Sequence, residues 1–252
     1  MWLRLRQICL VASDIEAVTE TLKSVFDLEV CHIDAAVGKY GLENRLLPIG
    51  NQLLEIVAPT RVGTAAGRYL ERRGGDGGYM VITQCDALAP RREHVAKLEV
   101  RVANPLVHGD FNGIQLHPKD TGGAFFEIDE QGGDNSPTGD WHPAGPNWQA
   151  ARRTDVIDAI VAAELQSPDA NALATRWSDI AQIPLAAGSP PSFALENAVI
   201  RFVADTDGRG EGLGGIDVRA VNRERAMEAA DKRGVAIDND LILIGGTRFR
   251  LV

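Results

Sequence analysis

The sequence repeats itself at a fixed spacing of 72 positions. Residues 7–14, QICLVASD, are similar to residues 79–86, YMVITQCD, and both are short apolar segments that end in an acidic helix-start signal. A second pair, NQLLEIVA around Glu55 and GGAFFEID around Glu127, has the same spacing. Agreement between two independently chosen pairs indicates a duplicated structural unit, and such a repeat restricts the fold more than composition does.

Each of these two repeats fits a β-α-β-β-β module. Residues 15–26 carry apolar side chains at helical spacing, and Ser13 with Glu16 predicts a capping box at the start of that helix. Three strand-like segments follow, LEVCHIDA, ENRLLPIG and NQLLEIVAP, separated by glycines. The second repeat has a weaker helix from Pro90 to about Leu98, and then the strand-like segments KLEVRVA, GIQLHP and GAFFEID.

The pattern recurs twice more, less clearly, in the second half of the chain. The segment IVAAELQS leads into a helix, PDANALATRWSDI, and a strand, NAVIRFVAD. GGIDVRAV then precedes a helix over residues 223–233, with Asn222 as its predicted N-cap, and the chain ends in LILIGGTRFRLV. We therefore predict an α+β fold of four modules in two paired-module domains, residues 1–130 and 153–252. The Gly-, Pro- and Asp-rich residues 131–152 are the predicted linker.

Composition argues against several classes of function. The formal net charge is −9, with 35 acidic and 26 basic residues and no basic run, which does not suit a nucleic acid or an anionic membrane as partner. No apolar run approaches the roughly 18 residues that a membrane helix needs. Cys9, Cys31 and Cys85 show no C-x-x-C spacing, which argues against structural zinc and favours a reducing, cytoplasmic location.

The order and spacing of these segments resemble the vicinal oxygen chelate superfamily, which includes glyoxalase I, methylmalonyl-CoA epimerase, extradiol dioxygenases and bleomycin-resistance proteins. The resemblance rests on LPIGNQLLEIVAP around Glu55 and on LHPKDTGGAFFEID at residues 116–129, and it is strongest over residues 1–130. It implies that paired modules curl mixed sheets around a cleft. It also implies that a tandem chain supplies the pairing itself, so the protein is expected to be a monomer (an internal pseudo-dimer) or a homodimer.

The resemblance implies a divalent metal held by the first and last strands of each module. The four matching positions in the first half are Gln7, Glu55, Tyr79 and Glu127. Three of them carry a usual ligand, whereas Tyr79 stands where a His is expected. An amide oxygen and two carboxylates suit Ni, Co, Mn, Mg, Fe or Zn. The equivalent positions in the second half carry no usual ligand, so that half is predicted to keep the fold and to have no metal site; these positions are Val161 or Ala162, Phe202, Ile216 and Arg250.

The residues support a site without the resemblance as well. Because side chains alternate along a strand, Glu55 lies on the same face as apolar neighbours. Burying a carboxylate in such surroundings costs free energy unless it is paired or metal-bound. Tyr79 is predicted to be either a hydrogen-bond donor of a cleft wall or a core residue. His32 is the best replacement for the missing ligand, and the turn residue His117 is a further cleft candidate. Trp141 either covers an apolar substrate or holds the two halves together.

Three functions follow from this reading. The first is a metal-dependent lyase or isomerase, in which Glu55 or Glu127 removes a proton next to the carbonyl of a small vicinal-oxygen substrate. An extradiol dioxygenase would need two His and one carboxylate on iron, and Gln7 and Tyr79 argue against it. The third is a metal-free protein that binds or sequesters a small molecule, as bleomycin-resistance proteins do.

Overall fold

The computed structural model describes residues 1–252 and shows a mixed α+β architecture. The first 78 residues form β1 (Leu3–Val11), α1 (Ile15–Phe26), β2 (Leu42–Ile49), β3 (Gln52–Pro59) and α2 (Ala65–Arg73). The second module comprises β4 (Gly77–Cys85), α3 (Leu88–Lys97), β5 (Val102–His108), β6 (Phe111–Leu116), the short α4 (Pro118–Thr121) and β7 (Phe125–Gln131). No helix of the structure combines the length and the apolar character needed to span a bilayer.

The second half repeats the order of elements of the first half without counterparts of α2 and α4. It contains β8 (Ile157–Ser167), α5 (Ala170–Ala181), β9 (Ser192–Ala194), β10 (Val199–Ala204), β11 (Gly212–Ala220), α6 (Arg223–Lys232), β12 (Ile237–Asp238), β13 (Leu241–Ile244) and β14 (Thr247–Leu251). The α+β class and the four modules are thereby confirmed. Asn222 is the N-cap of α6 as predicted, because its side chain accepts a hydrogen bond from the Arg225 N–H at 3.0 Å.

The chain divides into two compact units. Unit one comprises Met1–Gln7, Tyr79–His142 and Ala162–Leu213; unit two comprises Ile8–Gly78, Pro143–Val161 and Gly214–Val252. Unit one thus holds most of the second and third modules, and unit two holds most of the first and fourth. The predicted division into residues 1–130 and 153–252, with a linker at 131–152, follows the order of the repeats along the chain. It stays a prediction.

Parallel pairing of first and last strands organises unit one. β4 runs parallel to β7, which is antiparallel to β6, and β6 is antiparallel to β5. In the third module, β8 runs parallel to β10. The Trp177 ring of α5 stacks on Phe126 with ring centroids 4.6 Å apart and meets the edge of Phe202 at 6.2 Å. This aromatic core holds α5 against the strands that carry the two phenylalanines.

Unit two has the same organisation. β2 and β3 form an antiparallel hairpin, and β11 runs parallel to β14, which pairs with β13. Phe26 of α1 and Phe249 of β14 are in ring contact at 5.4 Å. The predicted strand over LEVCHIDA is wrong, since only a single bridge between His32 and Leu46 forms there. A 3-10 turn over Ala35–Tyr40 follows, because the Asp34 side chain caps it by accepting the Ala36 N–H at 2.8 Å.

Two further local expectations need correction. The N-cap of α1 is Asp14, which accepts the Ala17 N–H at 3.0 Å. Ser13, the predicted cap, instead donates its hydroxyl to Asp76 at 2.8 Å. Helix α2 was not anticipated, because its sequence AAGRYLERR is short and has few apolar residues.

The buried Arg91 of α3 offers a test of the core of unit one. Its guanidinium donates to the Ala181 carbonyl at the end of α5 (2.9 Å) and to the Trp2 carbonyl (3.2 Å). Arg91→Ala leaves these buried acceptors unpaired, so we expect the free energy of unfolding to fall by about 2–4 kcal/mol. Urea denaturation measures it. The exposed Lys97→Ala on the same helix is the control and should change stability by less than about 0.5 kcal/mol.

Candidate functional site

Glu127 of β7 is a buried carboxylate whose orientation is set by the strand opposite. Gln115 of β6 is its direct partner in the antiparallel pair, and the Gln115 Nε2 donates to Glu127 Oε2 at 2.8 Å. The Glu127 side chain is only 5% exposed. On the other side, the Thr83 hydroxyl of β4 donates to the Glu127 backbone carbonyl at 2.9 Å. Both the side chain and the backbone of Glu127 are therefore fixed by neighbouring strands.

A second carboxyl group, Asp129, lies two residues further along the same face of β7. It is fully buried, and its partner across the antiparallel pair is Gly113, where a Cβ would overlap Asp129 Oδ1. Burial first, and then the charge and hydrogen bond of Glu127, raise the pKa of Asp129 well above its usual range. The raised pKa means that Asp129 holds its proton to a higher pH than an exposed aspartate does.

The Gln7 side chain of β1 is held by Trp141. The indole Nε1–H donates to Gln7 Oε1 at 3.1 Å, and Trp141 is almost completely buried. Its ring meets the edge of Phe111 at 5.3 Å, and the Arg6 guanidinium lies over it at 4.9 Å. Burial, followed by the nearby Arg4 charge, lowers the pKa of Arg6 to about 10. Trp141 is thus a core residue of unit one that contacts a predicted ligand.

Tyr79 is buried, and its ring packs edge-on against Phe125 at 5.1 Å. The register of the parallel pair sets Met80 beside Phe125 and Ile82 beside Glu127. The Met80 sulfur lies 3.3 Å from the Gln115 amide nitrogen. The strand that should carry the missing His therefore presents apolar side chains next to Glu127. The role of Tyr79 as a cleft-wall donor stays a prediction.

Glu55 belongs to unit two, where it lies on β3 and is also buried. Asn44 of β2 donates its Nδ2 to Glu55 Oε1 at 2.7 Å. The Asn44 Oδ1 in turn accepts the Asp34 N–H at 2.8 Å, which fixes the orientation of the amide. Each predicted carboxylate thus has one oxygen bound by a neutral amide from an adjacent strand.

The two histidine candidates have local structural contacts. The ring of His32 packs against Gly145, where a Cβ would lie 2.5 Å from Nδ1. His117 is the N-cap of α4, and its Nδ1 accepts the Lys119 N–H at 3.1 Å. Neither contact brings a histidine to Glu127. The placement of His32 and His117 in a substrate cleft stays a prediction.

The four-ligand metal centre that the sequence suggests stays a prediction. The chain contains no group of three His, Cys, Asp or Glu side chains arranged to hold an ion. The Gln7 oxygen accepts the Trp141 indole N–H, and the third position carries a tyrosine whose ring packs on Phe125. We therefore derive no chemical step through a metal.

Sequence reasoning missed three residues of this arrangement. Asp129 can be found from the alternation of side chains along a strand, because it lies two positions after Glu127 in GGAFFEID and therefore on the same face. Gln115 and Gly113 have no signal of their own. They become relevant only through the register of β6 against β7.

Comparison with solved structures identifies the fold. A hypothetical protein from Staphylococcus aureus aligns with a TM-score of 0.68 and 13% identity, covering 99% of both chains. A Mn(II)-bound glyoxalase from Novosphingobium aromaticivorans aligns with a TM-score of 0.65 and 13% identity, covering 98% of this chain and 80% of that one. A variant of 4-hydroxymandelate synthase from Streptomyces coelicolor aligns with a TM-score of 0.66 and 12% identity, covering 92% of this chain and 75% of that one. This chain has the vicinal oxygen chelate fold.

The resemblance inferred from the repeat spacing is therefore confirmed at the level of the fold. No protein-family model and no curated protein matches the sequence. The structural relatives share few residues with this chain, so the chemistry of its site has to be argued from its own side chains.

The contact between Gly113 and Asp129 gives a test of the carboxyl pair. Gly113→Ala places a methyl group on Asp129 Oδ1, so we expect a loss of about 1–3 kcal/mol in the free energy of unfolding. Adding Asp129→Ala should make the combined loss smaller than the sum of the two single losses, because the clash disappears. Gly38→Ala, where a Cβ meets no atom within 4 Å, is the control.

The raised pKa of Asp129 predicts a pH dependence of stability. A carboxyl whose pKa is higher in the folded than in the unfolded protein stabilises the fold at low pH, and this contribution is lost as the pH rises. Stability relative to Asp129→Asn should therefore decline above about pH 4, the usual pKa of an unfolded aspartate. Urea midpoints of both proteins between pH 4 and pH 8 measure the effect. A constant difference across this range would contradict the assignment.

Proposed function

We propose that the chain acts on a small molecule with vicinal oxygens, and that Glu127 is the general base that removes a proton next to the carbonyl. The observation that carries this proposal is the fixed, buried Glu127 carboxyl group, with the Gln115 amide on one oxygen and, two residues along the strand, Asp129 with its raised pKa. The reaction class is that of a lyase or isomerase. The substrate is a small molecule, with no role for nucleic acid or membrane.

The surroundings of Glu127 suit a base. Its charge has low access to water, and a poorly solvated carboxylate accepts a proton more readily than a solvated one. The Gln115 amide fixes the direction of the carboxylate, so the approach of a C–H bond is defined rather than averaged over rotamers. The raised pKa of Asp129 favours its neutral form, which places less negative charge beside Glu127 than an ionised aspartate would.

A metal-free binding protein is the second candidate. The Trp141 contact on Gln7 favours it, because an oxygen already bound by an indole N–H contributes less to an ion. Such a protein would use the single charge of Glu127 and the surrounding apolar side chains to hold a cationic or apolar ligand without turnover. The fold supports both candidates equally, since folds host many functions.

Glu127→Gln separates the two candidates. We expect this variant to lose at least about 100-fold in the rate of proton exchange next to the carbonyl of 2-oxoaldehydes and acyl thioesters in D₂O, because the amide cannot accept the proton. Proton NMR of the substrates measures it. Glu130→Gln is a matched control on the opposite face of β7. Its side chain accepts the Leu88 N–H, which a glutamine oxygen can still do.

Wild-type protein that binds these compounds without exchange would leave the binding protein as the function. Elemental analysis of the same samples tests the metal-dependent form of the enzyme. About one equivalent of Mn, Ni, Co, Fe or Zn in the wild type, lost in Glu127→Ala, would restore Gln7, Glu55 and Glu127 as ligands.

A further inference from the structure

The exposure of the side chains around Glu127 indicates from which side a ligand can reach it. Asp129 and Glu127 share one face of β7 and are 0% and 5% exposed. Phe125, the preceding residue on that face, is partly exposed, and so is Met80, its partner in β4. Gln115, opposite Glu127 on β6, is partly exposed as well. This face therefore opens to solvent at the end that carries Phe125, Met80 and Gln115.

The Gln115 amide is held in one orientation at this open end. Its Nε2 donates to Glu127 Oε2 at 2.8 Å and to the Met80 sulfur at 3.3 Å. An ionised carboxylate and a thioether only accept hydrogen bonds, so the amide atom that faces them has to be the nitrogen. These two contacts use both hydrogens of Nε2. The other branch of the amide, the carbonyl oxygen Oε1, accepts no hydrogen bond within the protein and is not a buried atom.

This free acceptor lies close to the carboxyl group of Glu127. The nitrogen and the oxygen of a primary amide are about 2.3 Å apart, so Gln115 Oε1 lies within about 5 Å of Glu127 Oε2. A carbon whose proton is to be removed lies about 3–3.5 Å from the attacking oxygen. A substituent on that same carbon can therefore contact Gln115 Oε1 while its C–H bond faces Glu127.

We propose that Gln115 Oε1 accepts a hydrogen bond from a hydroxyl group on the carbon that gives its proton to Glu127, so that the substrates of this site are 2-hydroxy carbonyl compounds. This inference rests on the proposed function of Glu127 and narrows its substrate class. In the reaction, Glu127 takes the proton, the C–H electron pair forms a C=C bond to the carbonyl carbon, and the carbonyl π pair moves to oxygen. The hydroxyl group keeps its own proton throughout.

The fixed amide also explains how other compounds would be rejected. A ketone or ether oxygen at the hydroxyl position would set its lone pairs against those of Gln115 Oε1. The amide cannot turn over to offer Nε2 without giving up its hydrogen bonds to Glu127 and Met80. Gln115 is therefore a specificity residue at one end of its amide and a positioning residue for Glu127 at the other.

Two matched compounds test the acceptor role. Hydroxyacetone and methoxyacetone both carry vicinal oxygens and C–H bonds between them, but only hydroxyacetone has a hydroxyl donor. Each is incubated with the full-length protein in D₂O, and proton NMR measures deuteration of the carbon between the two oxygens. We expect kcat/KM for hydroxyacetone to exceed that for methoxyacetone by about 10-fold, because one hydrogen bond is lost and an acceptor faces an acceptor.

Variants of Gln115 separate the hydrogen bond from any change in the base. Gln115→Met removes both ends of the amide, and Gln115→Lys keeps a donor for Glu127 without an acceptor. Either change alters Glu127 equally for the two compounds, so the ratio of their kcat/KM values reports the acceptor alone. We expect this ratio to fall to about 1 in both variants. Asn112→Leu, on the opposite face of β6, is the matched control and should retain the wild-type ratio.

Equal rates for the two compounds in the wild type would overturn the inference. A ratio of about 10 that persists in both Gln115 variants would overturn it as well, because the added methyl group would then be excluded by its size. Failure of the base has a different signature, which saturation-transfer NMR of the two compounds detects. If neither is deuterated but hydroxyacetone binds about 10-fold more tightly, and Gln115→Met abolishes this preference, the acceptor role stands and the base does not. Equal binding, or no binding of hydroxyacetone, would refute the acceptor role.

Discussion

The register of β7 against its two neighbouring strands, β4 and β6, is the constraint on which the site depends. The parallel pair sets Ile82 beside Glu127, and the antiparallel pair sets Gln115 and Gly113 opposite Glu127 and Asp129. A shift of one residue would turn both carboxyl groups to the other face of the sheet. The hydrogen bond from Gln115 and the room that Gly113 leaves for the Asp129 side chain both follow from the register of β6 against β7.

The repeat was sufficient to predict the fold because it is a global signal. Two pairs of segments with a common spacing specify strand order and module number without reference to any one contact. Local signals were less reliable. The Asp34 and Asn44 side chains replace a predicted strand by a capped turn, and Asp76 takes the Ser13 side chain away from the helix start. The turn depends on side-chain hydrogen bonds within ten residues and the helix start on a residue 63 positions away, and the periodicity of apolar residues reports neither.

The site was predictable only in part, for the same reason. Glu127 was found because a carboxylate within an apolar strand is conspicuous, and the alternation of β7 would have revealed Asp129 as well. The sequence does not predict which atom of the Gln7 amide faces Trp141. Trp141 lies 134 residues away in a segment without periodicity. Residue type suggests a ligand oxygen at this position, and the structure shows that this oxygen accepts the Trp141 indole N–H.

The grouping of the modules into compact units has a consequence for how the chain can be divided. Each unit takes segments from both halves of the sequence, and four strands, β1, β4, β8 and β11, contribute residues to both units. A fragment that ends in the region 131–152 would therefore contain an incomplete core for either unit. Although the repeats follow one another along the sequence, the core of unit one is complete only when residues up to Leu213 are present, and that of unit two needs residues up to Val252.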